Sequence, residues 1–167
     1  MIKTINIKNK RAEKQINQVK EKKNTNVDIR FENVRLLKIN DLCRKNIFCK
    51  NDLFANAEML WEIMQPVGTQ DSHNSHGLTP KEILEVLNSL IDPYYVYKSE
   101  TPNRFVIVSL IIRESGDPLI VVIEVGSGIV GDIDANINKM ITMYPKAKIN
   151  NVVSNLSKSD ILYKKYS

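Results

Sequence analysis

Residues 94–146 read YYVYKSETPNRFVIVSLIIRESGDPLIVVIEVGSGIVGDIDANINKMITMYPK, and the way this stretch pairs with itself decides the fold. Arg104–Arg113 and Pro118–Val125 are dense in Val and Ile, whose branched side chains suit a pleated surface. Ser115-Gly116-Asp117-Pro118 between them has the composition of a short hairpin connection. In the middle of both runs, odd and even positions alike are apolar. Each is therefore expected to be a central strand covered on both faces. Tyr94–Lys98 adds a strand before them, joined through a turn at Ser99–Asn103. Ile137–Tyr144 adds one after them, beyond a loop holding Gly126, Gly128 and Gly131. The pattern predicts an antiparallel sheet of about four strands.

Working upstream, Thr79 fits a helix N-cap, Pro80 the first helical position and Glu82 the third, which together make a capping box. Ile83, Val86, Leu87 and Leu90 form its apolar stripe, and Asp92-Pro93 ends it because proline lacks the N–H and restricts its predecessor. Residues 52–64, DLFANAEMLWEIM, predict a second helix with Asp52 as N-cap and Leu53, Ala57, Leu60 and Met64 buried. Pro66 and Gly68 close it, and Trp61 reads as packing. Residues 28–39 open with the alternation of Ile29 and Phe31, a short strand. Downstream, 148–157 allow a short helix and Ile161–Tyr166 a basic edge strand, whose lysines discourage further pairing. The fold class is α+β, with N-terminal helices packed on the sheet.

The chain has 167 residues, 43% hydrophobic and 26% charged, which fits one globular domain. Its net charge of +5 is unevenly placed: residues 1–23 hold eight Lys and Arg against two Glu, a local excess of +6. Residues 1–27 are accordingly read as a basic tail or arm, either a weak amphipathic helix or a solvated segment, and 28–167 as a single domain of nearly balanced charge. The longest apolar runs fall far short of the ~20 residues a membrane helix needs, and the N-terminus has no apolar leader segment. Cys43 and Cys49 read as free thiols.

Alternation on an extended strand points Thr142, Tyr144 and Lys146 to one side, ~7 Å apart per pair. A hydroxyl, a phenol and an ammonium in a row suit a phosphodiester: the amine offsets charge on phosphoryl oxygens and the hydroxyls donate hydrogen bonds. His76, just ahead of the capped helix, titrates in the range useful for proton transfer. His73-x-x-His76 with Asp71 has the look of a zinc site but lacks a third strong ligand at a recognisable spacing, so no metal is expected. GSGIVG lacks the lysine and the βαβ setting of a phosphate loop, no Gly-x-Ser-x-Gly elbow occurs, and there is no carboxylate cluster for a two-metal nuclease. No cofactor is expected.

The order HGLTPKEILEVLNSLIDPYYVYKS, the RFVIVSLIIRESGDPLIVVIEV hairpin, INKMITMYPK and a terminal LYKKY resembles the C-terminal domain of phage MuF-type head proteins. The match rests on His76-Gly77-Leu78-Thr79, on Asp92-Pro93 with Ser99, on Gly116, and on Asn138 and Ile141 leading into Thr142-x-Tyr144-x-Lys146. Pro145 stands where that family usually has a small glycine. The resemblance implies the fold of barnase, EndoU, colicin and RelE-like nucleases, and metal-independent cleavage of RNA by attack of the 2′-hydroxyl on the adjacent phosphate. On that scheme His76 handles a proton, and Lys146 and Arg104 hold the phosphate. Thr142, Tyr144 and Ser99 orient it, and either Glu62 or Glu82 is a second acid or base. The expected function is an endoribonuclease of toxin or effector type, of phage or mobile-element origin, acting in the cytoplasm of a bacterial host. RNA is its expected partner, with a cognate immunity or host protein as another. The alternative is a catalytically inactive protein of the same fold that binds RNA or a protein, such as an inhibitor of host defence.

Overall fold

A computed structural model describes residues 7–21, 28–31, 34, 36–37, 53–70, 74–126, 129–130, 133–134 and 138–165. In chain order the elements are α1 (Ile7–Glu21), β1 (Asp28–Phe31), β2 (Leu53–Asn56), α2 (Ala57–Met64), α3 (Pro80–Ser89), β3 (Tyr95–Lys98) and β4 (Arg104–Ile112). They continue with β5 (Pro118–Val125), β6 (Ile129–Val130), β7 (Ile133–Asp134), β8 (Asn138–Pro145), α4 (Ile149–Ser154) and β9 (Ile161–Lys164).

The α+β class holds, but the sheet is larger and less uniform than the sequence pattern suggested. Seven strands lie in the order β1-β2-β8-β5-β4-β3-β9, against the expected number of about four, and β2 runs parallel to β8. The short strands β1, β2 and β9 extend both flanks of the four-strand centre. β4 and β5 are central, and their two apolar sets go to opposite sides. Ile107, Leu119, Val121 and Ile123 join one buried cluster, and Val106, Val108, Ile120 and Val122 the other. α1, α2 and α3 pack on the first face through Ile16, Leu60, Ile63, Ile83 and Val86. α4 covers part of the second through Ile149 and Val153. Each fully buried Ile or Leu contributes roughly 1.5–3 kcal/mol, so both faces hold the sheet.

Two sequence expectations change. The helix expected over 52–64 is split: Leu53 and Ala55, both fully buried, form β2 opposite β8, and the helix starts only at Ala57. Asn56 is the cap in place of Asp52, which lies outside the described residues; its Oδ1 accepts the N–H of Glu58 at 2.9 Å and of Met59 at 3.4 Å. A period of two at Leu53 and Ala55 and a period of 3.6 from Ala57 share residues, so the four-residue step from Leu53 to Ala57 concealed the junction. Within the expected basic arm, residues 7–21 form α1, with Ala12, Ile16 and Val19 buried. Cys43, Cys49, Asp71 and His73 fall outside the described residues.

Two irregularities set which residues share a face. In β8, Val122 pairs with Thr142 and Ile123 with Met140, leaving Ile141 as an extra residue. This bulge turns Met140 and Met143 together into the helix-covered core and keeps Thr142 and Tyr144 on the second face. In β4 the register shifts between Val108 and Ile112. There the buried Ser109 hydroxyl donates to Leu119 O at 2.7 Å and accepts the Ile111 N–H at 3.2 Å, satisfying backbone that the shift takes out of the ladder.

Candidate functional site

The segment that carries His76 is fixed from three directions. The predicted capping box is present: Thr79 Oγ1 accepts the Glu82 N–H at 3.1 Å, and Glu82 Oε2 accepts the Thr79 N–H at 3.2 Å. Gly77 takes φ +62°, a left-handed conformation that suits glycine. Its N–H donates to Gln65 O at 2.7 Å and the Leu78 N–H to Ile63 O at 3.0 Å, tying the loop to the end of α2. From the sheet, Arg113 donates to His76 O at 3.1 Å and to Gly77 O at 3.0 Å, while its Nη2 lies 3.1 Å from Glu82 Oε2. Glu82 therefore has a structural task, accepting from both the cap and the guanidinium. Glu62 accepts a long contact of 3.5 Å from Asn74.

Held this way, the His76 ring stacks on Tyr144, with centroids 5.5 Å apart and planes 29° from parallel. Burial and then the Arg113 charge lower the His76 pKa from its ordinary 6.5, so the imidazole is neutral near pH 7 and free to accept a proton. Burial raises the Tyr144 phenol. Tyr97 on β3 is pushed up to about 12, by burial first and by Tyr144 second. Thr142 lies one alternation before Tyr144 on the same face, opposite Val122. Its hydroxyl and that of Ser75, next to His76, are buried with no hydrogen-bond partner. The ladder runs one residue past β8, because the Lys146 N–H donates to Pro118 O at 2.9 Å. Alternation then leaves the Lys146 side chain on the Tyr144 side.

The structure thus brings His76 against Tyr144, on the strand that also carries Thr142 and, one residue past its end, Lys146. It does not bring Ser99 and Arg104 there. Arg104 pairs with Glu124 across the hairpin, four positions along β4 from Val108, which shares a row with Ile120 and Tyr144. At ~3.4 Å per residue that separates Arg104 from the Tyr144 row by ~14 Å. Its Nε is 2.7 Å from Glu124 Oε2. Ser99 Oγ accepts the Thr101 N–H at 3.3 Å in the adjacent turn.

Sequence reasoning missed Arg113 and Tyr97. An arginine ahead of Glu114-Ser115-Gly116 reads as a solvated turn residue, and nothing local shows that the turn folds back onto the α3 N-terminus. Tyr97 was visible only as one aromatic in YVYK.

Compared with known proteins, residues 68–166 match the model of the phage MuF C-terminal domain family. No curated protein and no solved structure matches the chain. The matched span includes His76, Thr142, Tyr144 and Lys146 as well as Arg113.

Proposed function

The chain belongs to the phage MuF C-terminal domain family, and on that premise we propose that it is a small metal-independent endoribonuclease of phage or mobile-element origin, of toxin or effector type, with a fold of the barnase, EndoU, colicin and RelE-like group. The observation that supports this best is the stack of His76 on Tyr144 at 5.5 Å, which joins a neutral imidazole to a strand end bearing hydroxyls and an amine. In the proposed reaction His76 takes the proton of an RNA 2′-hydroxyl as that oxygen attacks the adjacent phosphorus. The bond from phosphorus to the 5′-oxygen breaks, leaving a 2′,3′-cyclic phosphate and a 5′-hydroxyl that takes its proton from solvent. Lys146 offsets charge on the phosphoryl oxygens. Tyr144, whose raised pKa keeps its phenol protonated, donates a hydrogen bond to them, and Thr142 lies beside it on the strand.

The test is incubation with total RNA in EDTA, comparing wild type with His76→Ala and Lys146→Ala. Cleavage by wild type that both substitutions abolish supports the enzyme. Binding without cleavage in all three supports the inactive reading, which the sealed Thr142 hydroxyl and the Arg104–Glu124 pair favour.

A further inference from the structure

A concavity lies on the same side of the sheet as Tyr144, at the β9 edge, beyond β5 and β4 from the strand that His76 meets. It is an open groove of about 620 Å³ between α4 and the β3–β9 edge. That volume falls in the range of small-ligand sites, ~300–1,000 Å³. Nine residues line it, and none is acidic. Tyr95 is 5% exposed and is held by its neighbours. Tyr94 meets its ring edge-on with centroids 4.2 Å apart, Asn150 Oδ1 accepts from its hydroxyl at 3.5 Å, and Lys164 Nζ sits 5.9 Å from its ring centre. Lys158 and Lys164, both exposed, bring two cations to the rim.

An aromatic wall, a side-chain amide and two ammonium groups, with no carboxylate among the nine described lining residues, suit a planar base joined to a phosphate. The sheet register places the groove relative to the first site. Tyr95, Val108, Ile120 and Tyr144 form one row across four neighbouring strands, so Tyr95 is ~14 Å from Tyr144 at ~4.8 Å per strand. A few unstacked nucleotides bridge that span. We infer that the groove between α4 and the β3–β9 edge is a subsite for a nucleotide of single-stranded RNA, its base against Tyr94 and its phosphates on Lys158 and Lys164. This deepens the ribonuclease reading by naming single-stranded RNA as the substrate class, and it rests on that reading only for what happens at His76.

The probe is a fluorescent 2′-O-methyl RNA hexamer, which the proposed reaction cannot cut, so binding is read apart from catalysis. Wild type is expected to bind it more tightly than the matching duplex and than a free nucleoside monophosphate. Lys158→Glu with Lys164→Glu is expected to weaken binding about tenfold or more and to flatten the salt dependence by ~1.4 in log–log slope. Tyr94→Leu, which keeps apolar bulk against Tyr95, is expected to weaken it about tenfold through lost stacking. Circular dichroism shows whether each variant is folded, and if Tyr94→Leu unfolds, the exposed lysine pair alone decides the outcome. Unchanged affinity in the folded lysine variant, equal or tighter binding of duplex, no binding of the hexamer, or a monophosphate bound as tightly as the hexamer overturns the subsite. Binding that the lysine variant loses, in a protein that cuts no RNA, upholds the subsite and removes the ribonuclease reading. Cleavage with hexamer binding unaffected by the groove substitutions does the reverse.

Discussion

The second face of the sheet carries similar side chains at its two ends, in different states. At one end His76 leans on Tyr144, and Thr142 and Lys146 flank the contact along the strand. At the other, Arg104 closes on Glu124 at 2.7 Å and the Ser99 hydroxyl caps its own turn. Residue type alone, a cation with a hydroxyl nearby, describes both. Position in the ladder separates them. Arg104 has a counter-charge directly opposite, whereas Lys146 lies one residue beyond the last residue of β8. A charge with a carboxylate in register is already satisfied by the fold, and among the described residues Lys146 makes no ion pair.

Among substitutions that leave the His76 imidazole in place, the largest effect on that contrast is expected from Tyr144→Phe. It keeps the ring against His76 and removes only the hydroxyl, so RNA cleavage is expected to fall about 100-fold, as for the loss of one donor to a developing anion. The urea midpoint should move little, and a large drop in stability would mean that the hydroxyl serves the fold. Arg113→Gln comes next. It takes donors from the His76 and Gly77 carbonyls and the cation from Glu82, in a partly buried setting, and is expected to cost about 2 kcal/mol by urea unfolding. Arg104→Ala probes the other end. About a third of the arginine side chain is exposed, so screening limits the loss to about 0.5–1 kcal/mol.

The smallest effect is a pH dependence. Folding lowers the His76 pKa, so between that lowered value and 6.5 the unfolded chain binds more protons than the folded one. This contribution makes stability rise with pH through that window and level off above it. Subtracting the unfolding profile of His76→Gln isolates it. A difference that is flat from pH 5 to 7, or that falls with rising pH, breaks the assignment of a neutral, partly buried imidazole.

Much of this architecture was legible beforehand because the signals were local. Thr79-Pro80-x-Glu82 specifies a helix start through bonds within four residues, and doubly apolar runs such as Arg104–Ile112 specify central strands. Thr142 and Tyr144 share a face as alternation requires, since Ile141 puts the bulge upstream of them. What stayed hidden depends on register. Closing the hairpin at Arg113 and Asp117 and counting outwards sets Arg104 opposite Gly126. The shift between Val108 and Ile112 sets it opposite Glu124, with which it forms an ion pair. β2 was hidden because Leu53 and Ala55 become strand through pairing with β1 upstream and with β8, some 85 residues later. Arg113 was hidden for the same reason, since its partners His76, Gly77 and Glu82 lie more than 30 residues away.

The contrast between the two ends is tested most directly on one RNA, in EDTA, with equal amounts of wild type, His76→Ala and Arg104→Ala. Wild type should release fragments ending in 2′,3′-cyclic phosphate. His76→Ala should be slower by about 100-fold or more, and Arg104→Ala should stay within about twofold of wild type. No cleavage by wild type, or cleavage that survives His76→Ala and fails in Arg104→Ala, contradicts a catalytic centre at the His76 end of the sheet.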